Sequence, residues 1–160
     1  MDKYHPLDRL AGIIRTERSS GRSIVLANGC FDLIHVGHIR YLEDAKAQGD
    51  ILVAALNSDA SVRRLKGEGR PILPEAERAE ILAAFSCVDF VTIFDEDTVE
   101  QVLLTLKPDV HAKGSDYTTD TVPERETVRA YGGRIAITGG PKVKNTSELI
   151  RDISAGLKHE

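Results

Sequence analysis

A chain of 160 residues, 41% hydrophobic and 29% charged, is long enough to bury a sizeable core and leaves no room for a second domain of ordinary size. A formal net charge of −4 argues against nucleic acid as the main partner, so a phosphate-bearing ligand must be met by local cations. No apolar run approaches the roughly 18 residues of a membrane span, Met1–Pro6 lacks a signal peptide's apolar core, and the distant Cys30 and Cys87 form no disulfide framework, so a cytoplasmic protein is expected.

The chain opens on a helical extension over 1–22, with Leu7, Leu10, Ile13 and Ile14 on one side. The run Ser23-Ile24-Val25-Leu26-Ala27 predicts a buried strand over 23–28, and Ile39, Leu42 and Ala45 share one face of a helix over 38–48 that Gly49 ends. Between them lies Asn28-Gly29-Cys30-Phe31-Asp32-Leu33-Ile34-His35-Val36-Gly37-His38, which sets an H-x-G-H pair at the helix N-terminus. A helix start offers unpaired N–H groups and partial positive charge, so two imidazoles beside it suit an anionic oxygen, typically of phosphate. Gly37 fits a place where backbone must approach the ligand closely. His35, His38, Cys30 and Asp32 also supply donors that zinc accepts. That reading ranks second, because the spacing matches no common zinc pattern and His5, His111, His159 and Cys87 are scattered.

A second strand over 51–56 is followed by Arg63-Arg64-Leu65-Lys66-Gly67-Glu68-Gly69-Arg70, which is either a phosphate-gripping loop or a solvated charge run. A helix over 75–85 begins near Pro74; strands at 88–94, 109–113 and 134–138 alternate with helices at 97–106, 123–131 and 146–157. The stretches 66–74 and 114–123, rich in Gly, Pro, Thr and charge, look like mobile loops. Gly139-Gly140-Pro141-Lys142-Val143-Lys144 leads into a helix capped by Asn145 or Thr146 and forms a second potential phosphate nest. This β-α alternation predicts a single-domain α/β fold, a Rossmann-like doubly wound parallel sheet of five strands with helices on both faces. Such sheets bind ligands outside the carboxyl ends of their strands, where His35 and His38 lie.

The combination G-C-F-D and H-x-G-H resembles the cytidylyltransferase-like nucleotidylyltransferases. Tyr41–Lys46, Asn57–Ser61, Leu65-Lys66-Gly67, Arg70-Pro71 and Lys113-Gly114-Ser115-Asp116-Tyr117 are similar to the branch that adenylates D-glycero-β-D-manno-heptose 1-phosphate, from about residue 23 to residue 153. The resemblance implies that His35, His38 and Lys66 act on the reacting phosphates, Lys66 on the acceptor's. It implies a nucleotide site of Asn28, Gly29, Cys30, Phe31, Gly37, Lys113, Gly114, Asp116, Lys142, Lys144, Asn145, Thr146 and Ser147, and an acceptor site of Asp32, Asp59, Arg63 and Arg70. The chain departs from the glycerol-phosphate relatives in two places. Gly140 stands where they carry an arginine, and Asn145 replaces the usual first serine of their Ser/Thr-rich signature; Lys142 or Lys144 would supply the charge. Cys30 in place of the common threonine marks a branch.

The implied reaction moves AMP from ATP to the sugar 1-phosphate and releases pyrophosphate, with Mg²⁺ on the phosphates and no dedicated protein cage. A triphosphate would favour the imidazolium forms of His35 and His38 and the helix N-terminus would oppose them, so the letters leave their charge open. The resemblance further implies a homodimer, a separate heptose kinase upstream, since no Walker-type G-x-x-x-x-G-K-[ST] is present, and a product used in lipopolysaccharide or surface-glycan assembly. Three alternatives remain: a cytidylyltransferase for glycerol 3-phosphate or another alcohol phosphate, a zinc-dependent hydrolase, and a non-catalytic nucleotide-binding module.

Overall fold

In the computed structural model, which describes residues 2–157, the two most apolar runs become adjacent parallel strands, β1 (Ile24–Gly29) and β2 (Ile51–Asn57). Strands covered on both faces are expected to read as unbroken apolar runs. Side chains alternate between two core layers. Val25, Ala27, Leu52, Ala54 and Leu56 face one, with Leu42 and Ala45 of α2 (Val36–Lys46) and Ala79 and Leu82 of α4 (Glu75–Ala83). Ile24, Leu26, Ile51, Val53 and Ala55 face the other, with Leu10 and Ile14 of α1 (Leu7–Ser19), Val102, Leu103 and Leu106 of α5 (Glu100–Leu106) and Val128 of α6 (Arg125–Ala130).

Adding β3 (Phe90–Phe94), β4 (Val110–Lys113) and β5 (Arg134–Ile137) gives one parallel sheet in the order β3-β2-β1-β4-β5. This is the expected doubly wound sheet with helices on both faces. The strand order reverses between β1 and β4, which places the crevice there. Carboxylates latch the amino ends of the strands: Asp50, Asp89 and Asp109 accept the backbone N–H groups of Ser23, Leu52 and Ile24 at 2.8, 2.7 and 2.7 Å. Among the described residues no carboxylate latches the carboxyl ends of β1 and β4, whose pairing stops at Ala27 and Ala112 while β1 stays with β2 as far as Gly29.

Two expectations change. The cation run after β2 is largely a helix, α3 (Asp59–Lys66), because the Ser58 Oγ accepts the Ser61 N–H at 3.1 Å and starts it. The N-terminal extension is more than a helix, since Tyr4 bridges Val91 alongside β3 and covers that sheet edge. No helix among the described residues is long and apolar enough to cross a membrane. His159 lies outside the described residues.

Arg78 of α4 fastens the carboxyl ends of β1 and β2 together. Its fully buried guanidinium donates to Cys30 O at 2.7 Å, Asn57 O at 2.8 Å, Leu73 O at 2.9 Å and Asp59 Oδ1 at 2.8 Å. Arg78→Met would leave these four acceptors without their donor and is expected to lower the unfolding free energy by about 3–5 kcal/mol. Urea denaturation checks it; a loss under about 1 kcal/mol would contradict the role of Arg78 as the link between the strands.

Candidate active site

The two motif histidines open α2 in a reciprocal cap. His35, the residue before the helix, accepts the Gly37 N–H on Nδ1 at 3.1 Å, and His38 Nδ1 accepts the His35 N–H at 3.2 Å. A ring nitrogen that accepts carries no proton, so in both neutral rings the proton is on Nε2. Burial lowers the pKa of both imidazoles, that of His38 to about 4 with a further push from His35. In this structure both rings are therefore neutral at neutral pH, each with an Nε2–H left to donate. The rings lie 3.9 Å apart between centroids, and His38 also tilts against Phe31 at 5.5 Å. Phe31 holds a left-handed backbone angle of 49°, an uncommon conformation for a bulky residue, directly beside the His38 ring. A Cβ on Gly37 would stand 2.6 Å from Val143 Cγ2 and 2.9 Å from His35 Cε1, so glycine is required by packing between α2 and the 139–145 loop.

A cleft of about 430 Å³ opens over these rings, within the size range of small-molecule sites. Of the residues implied for the nucleotide, it gathers Asn28, Gly29, Cys30, Phe31, Gly37, Lys113, Gly114, Asp116, Lys142, Asn145, Thr146 and Ser147. Lys66, Asp32 and Arg70 line it as well. Asp59, Arg63 and Lys144 do not. Asp59 starts α3 and turns to Arg78, Arg63 is exposed on α3, and Lys144 pairs with Asp152 of α7 (Thr146–Leu157) at 2.5 Å.

Asp32 reaches the cleft in a role other than the expected one. Its carboxylate is 1% exposed and accepts N–H groups from Ile72 at 2.8 Å and Leu73 at 2.9 Å and the Arg70 Nε at 3.1 Å. With those donors it straps the 67–73 segment to the end of β1, leaving little capacity for a sugar hydroxyl. Arg70 continues to Ser147 Oγ at 3.3 Å, and Thr146 Oγ1 donates to Leu33 O at 2.9 Å, so the start of α7 is tied to the same loop. Asn145 caps α7, its Oδ1 accepting the Glu148 N–H at 2.9 Å.

On the opposite wall, Lys113 Nζ sits 4.7 Å from the Tyr117 ring centroid, and burial lowers its pKa. Asp116 meets Lys142 at 3.1 Å, joining the loop after β4 to the loop after β5. Cys30 is a thiol, its pKa raised by burial, 3.9 Å from Asn57 Oδ1. Among the described residues no group of three or more His, Cys, Asp or Glu side chains comes together to hold a metal ion, so they supply no third ligand to His35 and His38.

Three further positions support the site without belonging to the expected site residues. Arg78 was detectable as a cation among Ala79 and Leu82 on the inward stripe of α4. Tyr41 donates its hydroxyl to Ala112 O at 2.7 Å and accepts the Asn28 N–H at 3.3 Å; His111, fully buried on β4, lies 2.9 Å from Asn28 Oδ1. In the letters Tyr41 is one residue of the Tyr41–Lys46 run and His111 one of the scattered histidines, and neither pattern points to Asn28.

A family model described as cytidylyltransferase-like matches residues 26–147. The bifunctional protein HldE of Geobacter metallireducens is 54% identical over 151 residues, covering 94% of this chain and 31% of that protein. That of Geotalea uraniireducens is 53% identical over 154 residues, covering 96% and 31%. The chain thus spans under a third of the length of these curated relatives. A solved structure, the lipopolysaccharide core biosynthesis protein from Thermoplasma volcanium GSS1, superposes with a TM-score of 0.62 at 29% identity, covering 73% of this chain and 94% of that one.

The buried imidazoles set a pH dependence of stability. His38 and His111 are held at about 4 and about 3, against an ordinary 6.5, so between those values the unfolded chain binds more protons. Their contribution is complete above pH 6.5 and is lost as the pH falls, through about 4 for His38 and about 3 for His111. The urea midpoint is expected to drop from pH 6.5 to 5, and His38→Asn is expected to make that drop shallower. An identical slope in the variant would contradict the buried neutral ring.

Proposed function

The chain belongs to the cytidylyltransferase-like family of nucleotidyltransferases, and we propose that it transfers AMP from ATP to D-glycero-β-D-manno-heptose 1-phosphate, giving ADP-heptose and pyrophosphate. The observation that carries this reading is the uncharged His35–His38 pair on the cleft floor, flanked by cations on both walls: Lys66 and Arg70 on one, Lys113 and Lys142 on the other. Two anions must meet in such a reaction. An oxygen of the acceptor's phosphate attacks the α-phosphorus in line, a new P–O bond forms as the bond to the bridging β-phosphate oxygen breaks, and pyrophosphate leaves with that electron pair.

The acceptor is already ionised at neutral pH, so no general base is required. His35 and His38 donate from Nε2 to the α-phosphate oxygens as charge shifts toward the leaving group. Lys66 and Arg70 hold the acceptor's phosphate; Lys113, Lys142 and the capped start of α7 hold the triphosphate. Asp32 acts by positioning Arg70. Mg²⁺ would enter on the nucleotide's phosphates, because Asp32 is already engaged by donors and Asp116 by Lys142.

The choice of heptose rests on the likeness of Arg70-Pro71 and Lys113–Tyr117 to that branch, and on the lipopolysaccharide core biosynthesis named for the Thermoplasma volcanium protein. The product would feed surface-glycan assembly. A kinase activity that supplies the sugar 1-phosphate, a cytoplasmic location and a homodimer complete the reading.

A pyrophosphate-release panel crossing ATP, CTP and GTP with heptose 1-phosphate and glycerol 3-phosphate tests it. Turnover is expected with ATP and the heptose; preference for CTP with glycerol 3-phosphate would replace the substrates, and no release from any pair would leave a binding module. His38→Ala is expected to lower kcat by about 10²–10³, and near-normal turnover would overturn its role.

A further inference from the structure

The crevice exists because β1 and β4 part company after Ala27 and Ala112. Parting strands orphan backbone groups, and buried orphans are costly. The Tyr41 hydroxyl sits between the separating strands, taking the Asn28 N–H and giving its own proton to Ala112 O. His111 does the corresponding service for the Asn28 side chain. Its Nε2 is 2.9 Å from the amide oxygen, whereas its Nδ1 is buried with no partner. A fully buried imidazole with one orphaned nitrogen is a poor core residue. An apolar side chain would fill this position on β4, between Val110 and Ala112, at lower cost. What the histidine adds is the hold on Asn28.

We infer that His111 is a positioning residue for the nucleotide: by donating to Asn28 Oδ1 it locks the amide so that Nδ2 faces the cleft as a donor to the nucleotide's phosphates. The inference rests on the nucleotidyltransferase reading of the cleft. Asn28 lines the cleft, and its Nδ2 has no protein partner among the described residues. Burial keeps the His111 ring uncharged, so the donor is available throughout the neutral range without adding charge beneath the site. Without it the amide turns freely about its last torsion, and its oxygen, facing a triphosphate, repels.

The test is a double-mutant cycle read by titration calorimetry with whichever nucleoside triphosphate the wild type binds, so it stands apart from the identity of the sugar. His111→Leu is expected to weaken nucleotide binding roughly tenfold, the cost of about one donor to a charged group, and to leave the Michaelis constant for the acceptor unchanged. His111→Gln, which keeps an N–H donor, is expected to recover most of the loss. Asn28→Ala is expected to weaken binding at least as much, and His111→Leu to add nothing on top of it. Additive losses, absence of rescue by glutamine, or normal binding by Asn28→Ala would each overturn the inference. If His111→Leu does not fold, the glutamine and Asn28→Ala arms still decide it. Failure of wild-type turnover with intact nucleotide binding would count against the proposed reaction and leave this cycle readable.

Discussion

Two ring nitrogens, His35 Nδ1 and His38 Nδ1, accept the N–H groups of Gly37 in the first turn of α2 and of His35 just before it, and the character of the site follows from that pair of hydrogen bonds. A helix start needs acceptors, and serine or aspartate usually supplies them. Here imidazoles do. The cap commits one nitrogen of each ring to the backbone and leaves the proton on the other, while burial lowers the pKa of both rings. The residues that would do the chemistry are thus held rigid by the same contacts that set their chemical state.

The other contacts around the cleft serve as straps that bring distant segments to this helix start. Asp32 collects donors from 70–73, Arg70 passes the connection to Ser147, and Thr146 returns it to Leu33. Arg78 binds the ends of β1 and β2 from below, and Tyr41 and His111 manage the point where β1 and β4 separate. Each strap joins residues far apart in the chain. The cleft is therefore a product of the whole sheet, with the amino ends of the strands latched by aspartates and the carboxyl ends left to bind.

Legibility in the sequence follows the range of the forces involved. The sheet is readable because β1 and β2 are buried on both faces and so are continuous apolar runs, and H-x-G-H is readable because its hydrogen bonds are local to one helix start. Helix boundaries are less so: the expected 97–106 shortens to Glu100–Leu106, and Asp95 and Asp97 before it turn to Ser58 Oγ and to Arg64 of α3. The roles of Asp32 and Asp59 are illegible for the same reason. A carboxylate at a strand end looks identical whether it faces ligand or a strap, and only the fold reveals that Arg70 and Arg78 reach them.

The central claim is the uncharged, Nε2-protonated state of both motif histidines with nucleotide in place, and ¹⁵N NMR of histidine-labelled protein measures it directly. With α,β-methylene-ATP bound at pH 7, both rings are expected to keep an unprotonated Nδ1 and to show an Nε2 proton shifted by hydrogen bonding to phosphate. Protonation of Nδ1 on either ring, or Nε2 protons that do not respond to the nucleotide, would contradict it.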